Sequence, residues 1–374
     1  MRIAQVAPLW ESVPPKLYGG TERIVSYLTE ELVRLGHEVT LFASGDSHTA
    51  AKLEPICHQA LRLNTGVFNR DAPLILQLER VFGSPGDFDL IHSHLDFLGF
   101  PLARRCPVPV VTTLHGRLDL PELEPVFREY AEMSLISISD AQRRPLPWAN
   151  WQATVYHGLP RNLYHYHSRP GHYLAFLGRI APEKRPDHAI EVAKRVGMPL
   201  KIAAKIDPAD REYFRAEIEP LLSHPLIEFL GEITDDQKDD FLGGAYALLA
   251  PYDWPEPFGL VLIEALACGT PVLAYRRGSI PEIIQDGLTG FVCESLDEMV
   301  SRVEHVPFLD RRQCRQVFEE RFTVDRMTKD YLNVYEQILS EEVRLTSLEP
   351  EFGSRSVSRM NRQTRLSLHP GVQP

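Results

Sequence analysis

One run of residues near the start restricts the fold more than any other. Ile3 to Ala7 is a short apolar stretch of the kind that forms a buried strand, and the Pro-rich stretch Pro8 to Gly20 follows as a loop. Thr21 to Leu35 carries Ile24, Leu28, Leu32 and Leu35 on one face of a helix, Gly36 ends it, and Glu38 to Ala43 returns as a strand. Strand, helix and strand in this order form the parallel βαβ unit, so the chain is α/β with helices packed on a parallel sheet.

The same alternation continues. Buried strands are predicted at Leu90-Ile91-His92, Val108 to Leu114 and Ser134 to Ser139, and the irregular segment Gly158 to His172, with Pro160, Pro170 and Gly171, reads as a linker. Beyond it, Tyr173 to Leu177, Leu200 to Ala204, Ile227 to Leu230 and Tyr246 to Ala250 read as strands, and Pro186 to Val196 and Thr234 to Leu242 as helices. A length of 374 residues exceeds one ordinary core. The expected units are 1–163 and 164–324, a long helix over 325–346 and a disordered, Ser- and Arg-rich tail over 347–374. In open sheets of this kind ligands bind beyond the carboxyl ends of the strands.

Composition excludes several classes. A formal net charge of -11 disfavours extended nucleic-acid binding, though not the local capture of one diphosphate. The chain has no apolar run of the roughly eighteen residues needed to span a bilayer, and Met1 to Pro8 is too short for a signal peptide. The cysteines Cys57, Cys106, Cys268, Cys293 and Cys314 are widely spaced, which suits reduced thiols in a cytoplasmic protein. Tail arginines such as Arg355 and Arg359 could touch the inner membrane face, but a solvated tail is the preferred reading.

The chemistry is concentrated in Glu256-Pro257-Phe258-Gly259-Leu260-Val261-Leu262-Ile263-Glu264, followed by Ala265-Leu266-Ala267-Cys268-Gly269-Thr270-Pro271-Val272. Here a Gly turn opens an apolar helix, so Phe258, Gly259 and Leu260 can present unpaired backbone amides to an anionic or polyhydroxylated ligand. Glu256 and Glu264 flank that point as hydroxyl acceptors. The layout suits a nucleotide sugar, with Glu256 reaching the hexose and Glu264 the ribose.

With Gly278-Ser279-Ile280-Pro281-Glu282-Ile283-Ile284 and Asp286-Gly287-Leu288-Thr289-Gly290-Phe291-Val292, the stretch resembles the E-x7-E signature of family 4 of the retaining glycosyltransferases. Gly178-Arg179-Ile180-Ala181-Pro182-Glu183-Lys184 is similar to the G-R-x-x-x-x-K motif that precedes it in the same family. The resemblance implies the GT-B architecture, in which two Rossmann-like domains face each other across a cleft and a C-terminal helix crosses back to the first. It also implies transfer of a hexosyl unit from a nucleotide-diphosphate sugar to a glycan, lipid-linked or small-molecule acceptor, with no metal and no cofactor. Arg179 and Lys184 would clamp the diphosphate. Gly19 and Gly20 would approach donor and acceptor, His115 would contact the sugar near the reacting carbon, and the backbone near Ile233 would meet the nucleobase.

Rival readings stand beside this one. His92, His94, Asp96 and His115 could hold zinc, but members of the resembled fold bind the diphosphate without a metal. A nucleotide-sugar epimerase lacks the signature block, and a phosphorylase needs a pyridoxal lysine and is usually much longer. A non-catalytic nucleotide-sugar or glycan-binding module on the same fold is the alternative from a different class.

Overall fold

The computed structural model describes residues 1–348 apart from 63 and 65. The tail expected from 347 therefore lies outside the described residues from 349 onward. The first sheet has seven strands in the order β3-β2-β1-β4-β5-β6-β7. They are β1 (Arg2–Val6), β2 (Glu38–Ala43), β3 (Lys52–Pro55), β4 (Leu90–Ser93), β5 (Val110–Thr113), β6 (Ser134–Ser137) and β7 (Trp151–Thr154). The second has six in the order β10-β9-β8-β11-β12-β13. These are β8 (Leu174–Arg179), β9 (Leu200–Lys205), β10 (Ile227–Gly231), β11 (Ala247–Ala250), β12 (Val272–Tyr275) and β13 (Gly290–Cys293).

Every pairing is parallel, so both domains are the doubly wound α/β type that the βαβ pattern predicts. Strand order reverses beside β1 in one sheet and beside β8 in the other, and a crevice opens at each reversal. The loop to Gly20 leaves the first crevice and Arg179 ends the strand at the second. Topology alone therefore brings the Gly-rich loop and the G-R-x-x-x-x-K motif to ligand-binding ends.

The final helix, Val324–Leu348, starts beside the second domain and packs on the first. Its Met327, Tyr331, Val334, Tyr335 and Ile338 share a core with Ile3, Ile24, Leu28, Leu32 and Leu90. Each such large apolar side chain contributes about 1.5–3 kcal/mol when fully buried, which anchors the returning helix. The outward and return crossings between domains lie side by side. Leu159 N–H donates to Phe322 O at 2.9 Å and Val324 N–H to Leu159 O at 2.8 Å, forming an isolated bridge between Leu159 and Thr323.

Polar contacts also join the domains. Arg23, on the helix Gly20–Arg34, is ion-paired with Asp235 of the second domain. On the other side, Asp140 N–H and Ala141 N–H donate to the two Glu282 carboxylate oxygens at 2.8 and 2.7 Å, and Tyr156 Oη donates to Glu282 at 3.1 Å. Glu282, which closes the Gly278-to-Glu282 part of the sequence block, thus grips the first domain.

Candidate active site between the two sheets

A cavity of about 620 Å³ lies between the domains, walled by both. Gly19, Gly20 and His115 line it from the first domain, and Arg179, Lys184, Ile233, Glu256, Phe258, Gly259, Leu260 and Glu264 from the second. Residues far apart in sequence therefore share one volume.

The helix Leu260–Ala267 opens at this cavity because Gly259 takes φ +87°, a conformation that costs a side-chain-bearing residue about 1–2 kcal/mol. The turn also leaves little space, since a Cβ on Gly259 would lie 3.0 Å from Leu262 Cδ1. The apolar face of the helix sits in the second core, so its amino end is fixed by packing and aims its free amides at the cavity. The first helix, Gly20–Arg34, also opens at the cavity, on the opposite wall.

Lys184 Nζ is ion-paired with Glu256, and Trp254 Nε1 donates to the same carboxylate oxygen at 3.0 Å. The ammonium also sits 4.0 Å from the Tyr252 ring centroid and 4.8 Å from that of Trp254, an aromatic cage that favours the cation. Glu264 is buried, accepting from Lys238 Nζ at 3.1 Å and from Tyr164 Oη at 3.3 Å. Arg179 is surrounded by acids: it pairs with Glu183, and with Asp210 at 3.4 Å and Asp207 at 3.8 Å. In this arrangement Lys184 and Glu256 neutralise each other, a pairing that sequence separation hides. Removing one partner leaves the other charge desolvated. Lys184→Ala is expected to cost about 1–3 kcal/mol of stability, read as a lower midpoint in urea, and Lys184→Met with Glu256→Gln together should recover part of it.

On the first-domain wall, the His115 ring stacks on His157 with centroids 5.4 Å apart, and His157 meets Phe258 edge-on at 4.8 Å. Burial pushes the His115 pKa down to about 3, so the ring is neutral. Glu22, at the start of the first helix, also faces the cavity, and burial raises its carboxyl above the usual range. Every nitrogen of His92 and His94 is engaged by a protein group.

The sequence reading missed His157, Tyr252, Trp254, Lys238 and Arg23. Tyr252 and Trp254 were within reach, because two aromatics immediately before a candidate carboxylate are a visible signal. His157 follows β7, a strand that was not predicted, and Lys238 lies in an acidic helix where its charge looks solvated.

Paired parallel-sheet domains around a cavity carrying these cations, carboxylates and helix ends define the GT-B glycosyltransferase class. Residues 18–190 match the family model for Glycosyltransferase Family 4, and residues 168–306 that for Glycosyl transferases group 1. The chain belongs to this group 1, family 4-like set of glycosyltransferases. It is 28% identical over 333 residues to the phosphatidyl-myo-inositol mannosyltransferase of Mycolicibacterium smegmatis, covering 78% of this chain and 80% of that one. Solved structures share the fold. Sucrose-phosphate synthase from Thermosynechococcus elongatus has a TM-score of 0.72 at 18% identity, covering 91% of this chain and 99% of that one. Anabaena HepE in complex with UDP and glucose has a TM-score of 0.69 at 18% identity, covering 90% and 100%.

Proposed function

We propose that the chain is a retaining, metal-independent hexosyltransferase that uses a nucleotide-diphosphate sugar. The observation that carries this reading is the shared cavity, where the Lys184–Glu256 pair and the amino end of helix Leu260–Ala267 stand opposite Gly19, Gly20 and His115. The diphosphate would lie against Lys184, Arg179 and the free amides at Gly259 and Leu260, with Arg179 exchanging part of its acidic surroundings for phosphate oxygens. Glu256 would accept hydrogen bonds from hexose hydroxyls and Glu264 from the ribose, with the base beside Ile233.

As the anomeric C–O bond breaks, negative charge grows on the leaving diphosphate, and preorganised donors stabilise it there. The sugar becomes oxocarbenium-like. The acceptor hydroxyl enters from the first-domain side and attacks the face that the diphosphate is leaving. Its proton passes to the departing phosphate, so no protein base is assigned. Glu256 and Glu264 both face the donor in this reading, which is not the opposed nucleophile and acid of a retaining glycosidase.

A panel of nucleotide sugars assayed for nucleotide release, with the product's anomeric configuration read by NMR, tests the proposal. An inverted product would eliminate the retaining mechanism. Glu256→Gln is expected to fold and to lose turnover by about 10- to 100-fold, the loss of one charged hydrogen bond in the transition state. Turnover at the native level would remove Glu256 from the site.

A further inference from the structure

The transfer reaction leaves a buried polar file in the first domain without a task. Behind His115 a chain of hydrogen bonds runs through the core to the final helix. His115 Nε2 lies 2.9 Å from His94 Nδ1, and His94 Nε2 lies 2.9 Å from Gln5 Oε1. The Gln5 amide nitrogen donates to Tyr335 Oη at 3.3 Å, and Tyr335 Oη is 2.7 Å from His92 Nδ1. His92 Nε2 meets Thr113 Oγ1 at 2.7 Å, and the Thr113 hydroxyl donates to Tyr331 Oη at 3.2 Å. Gln5, His92, Thr113, Tyr331 and Tyr335 are wholly buried, and His94 is nearly so.

A purely structural network needs only to satisfy its members. This one also has a direction. Thr113 uses its proton on Tyr331, so it accepts from His92 Nε2–H, and neutral His92 must then accept at Nδ1 from Tyr335. The Tyr335 oxygen in turn takes the Gln5 N–H, which turns the amide oxygen toward His94. A carbonyl oxygen can only accept, so His94 carries its hydrogen on Nε2 and accepts at Nδ1, and His115 must donate from Nε2. Burial holds all these imidazoles neutral, because desolvation pushes their pKa values down.

We infer that this file fixes His115 as its Nε2–H tautomer, so that the ring offers the cavity a bare Nδ1 that only accepts a hydrogen bond, with Gln5 and His94 as positioning residues. The inference rests on the transferase reading of the cavity. It has a chemical consequence: His115 would read a hydroxyl of the donor sugar or of the acceptor, and would not donate to a diphosphate oxygen. The final helix then takes part in setting the site, because Tyr335 orients the amide that orients His94.

The test uses the full chain with ¹⁵N-labelled histidine and long-range ¹H–¹⁵N correlation without substrate, His115 being assigned with a His115→Gln variant. Wild-type His115 is expected to show a single Nε2–H pattern. His94→Leu removes the acceptor, and should give His115 a mixture of tautomers while lowering kcat about 10- to 100-fold, the effect of a misplaced contact, with donor KM little changed. His94→Asn places a carbonyl oxygen where Nδ1 stood, and should restore both the tautomer and most of kcat. A proton on Nδ1 of wild-type His115 overturns the assignment even if the His94→Leu variant does not fold, and so does native kcat in a folded His94→Leu protein. If no nucleotide sugar is turned over by the wild type, the transferase reading fails, while the tautomer pattern still decides the state of His115.

Discussion

Lowering the pH from 7 to 5 is expected to remove at most about 6 kcal/mol of unfolding free energy through the buried rings of His92, His94 and His157 taken together. All are enclosed, and burial depresses each pKa below the usual imidazole value. Such a group stabilises the fold fully above its unfolded pKa, near 6.5. As pH falls below that value the unfolded chain binds protons that the native chain refuses, so stability is lost on the acid side. His115 adds a smaller share because one edge meets the cavity. The carboxyls of Glu11, Glu22 and Asp96 work in the opposite direction, since burial raises their pKa values and the native state binds their protons first. Thermal melts between pH 5 and 7 should show the midpoint falling as the pH is lowered, by at most roughly 10 °C. A flat profile would mean that the rings take up protons inside the folded protein or that the raised carboxyls offset them.

Gly278→Ala should reduce turnover by about 100-fold, the penalty for moving a catalytic contact by roughly an ångström. Gly278 has φ +52°, and a Cβ there would lie 2.3 Å from Glu256 O and 2.4 Å from Glu256 N. Both are backbone atoms and cannot turn aside. The neighbouring Ser279 N–H donates to Glu256 O at 2.9 Å, so the two segments must stay in register. Gly287 supplies the control, with φ +73° and nothing within 4 Å of the missing Cβ. Gly287→Ala should cost about 1–2 kcal/mol of stability through backbone strain and leave kcat intact. Equal kinetic losses in the two variants would show that the Gly278 effect is general strain and not displacement of Glu256.

The fold was readable wherever a strand is buried on both faces, because β1, β2, β4 and β11 are short apolar runs bounded by turns. The edge strands β3, with sequence KLEP, and β7, with sequence WQAT, carry no such run and escaped notice. The helix Asp71–Phe82 escaped for a related reason, since only Gln77 and Val81 are buried and Pro73 sits in its first turn. In the cavity, Glu256, Glu264, Arg179 and Lys184 could be picked out from local motifs. Their partners could not. The Lys184–Glu256 pair, the acids around Arg179 and the stack of His115 on His157 arise only when separate loops meet at the strand ends.

The Leu159–Thr323 bridge makes the second domain an insertion whose two ends touch. Everything between those residues leaves the first domain and returns to it at one point, while the final helix belongs physically to the domain where the chain began. Exchange of the second domain between related enzymes therefore calls for two cuts at adjacent positions, and a graft made there keeps the returning helix with its native sheet. A chimera spliced once, near the linker, would instead pair one protein's first sheet with another's helix, and would have to rebuild the contacts of Tyr331 and Tyr335 with Gln5, His92 and Thr113. The whole second domain can in this way be exchanged as one contiguous segment, without redesigning the first sheet or the helix that packs on it.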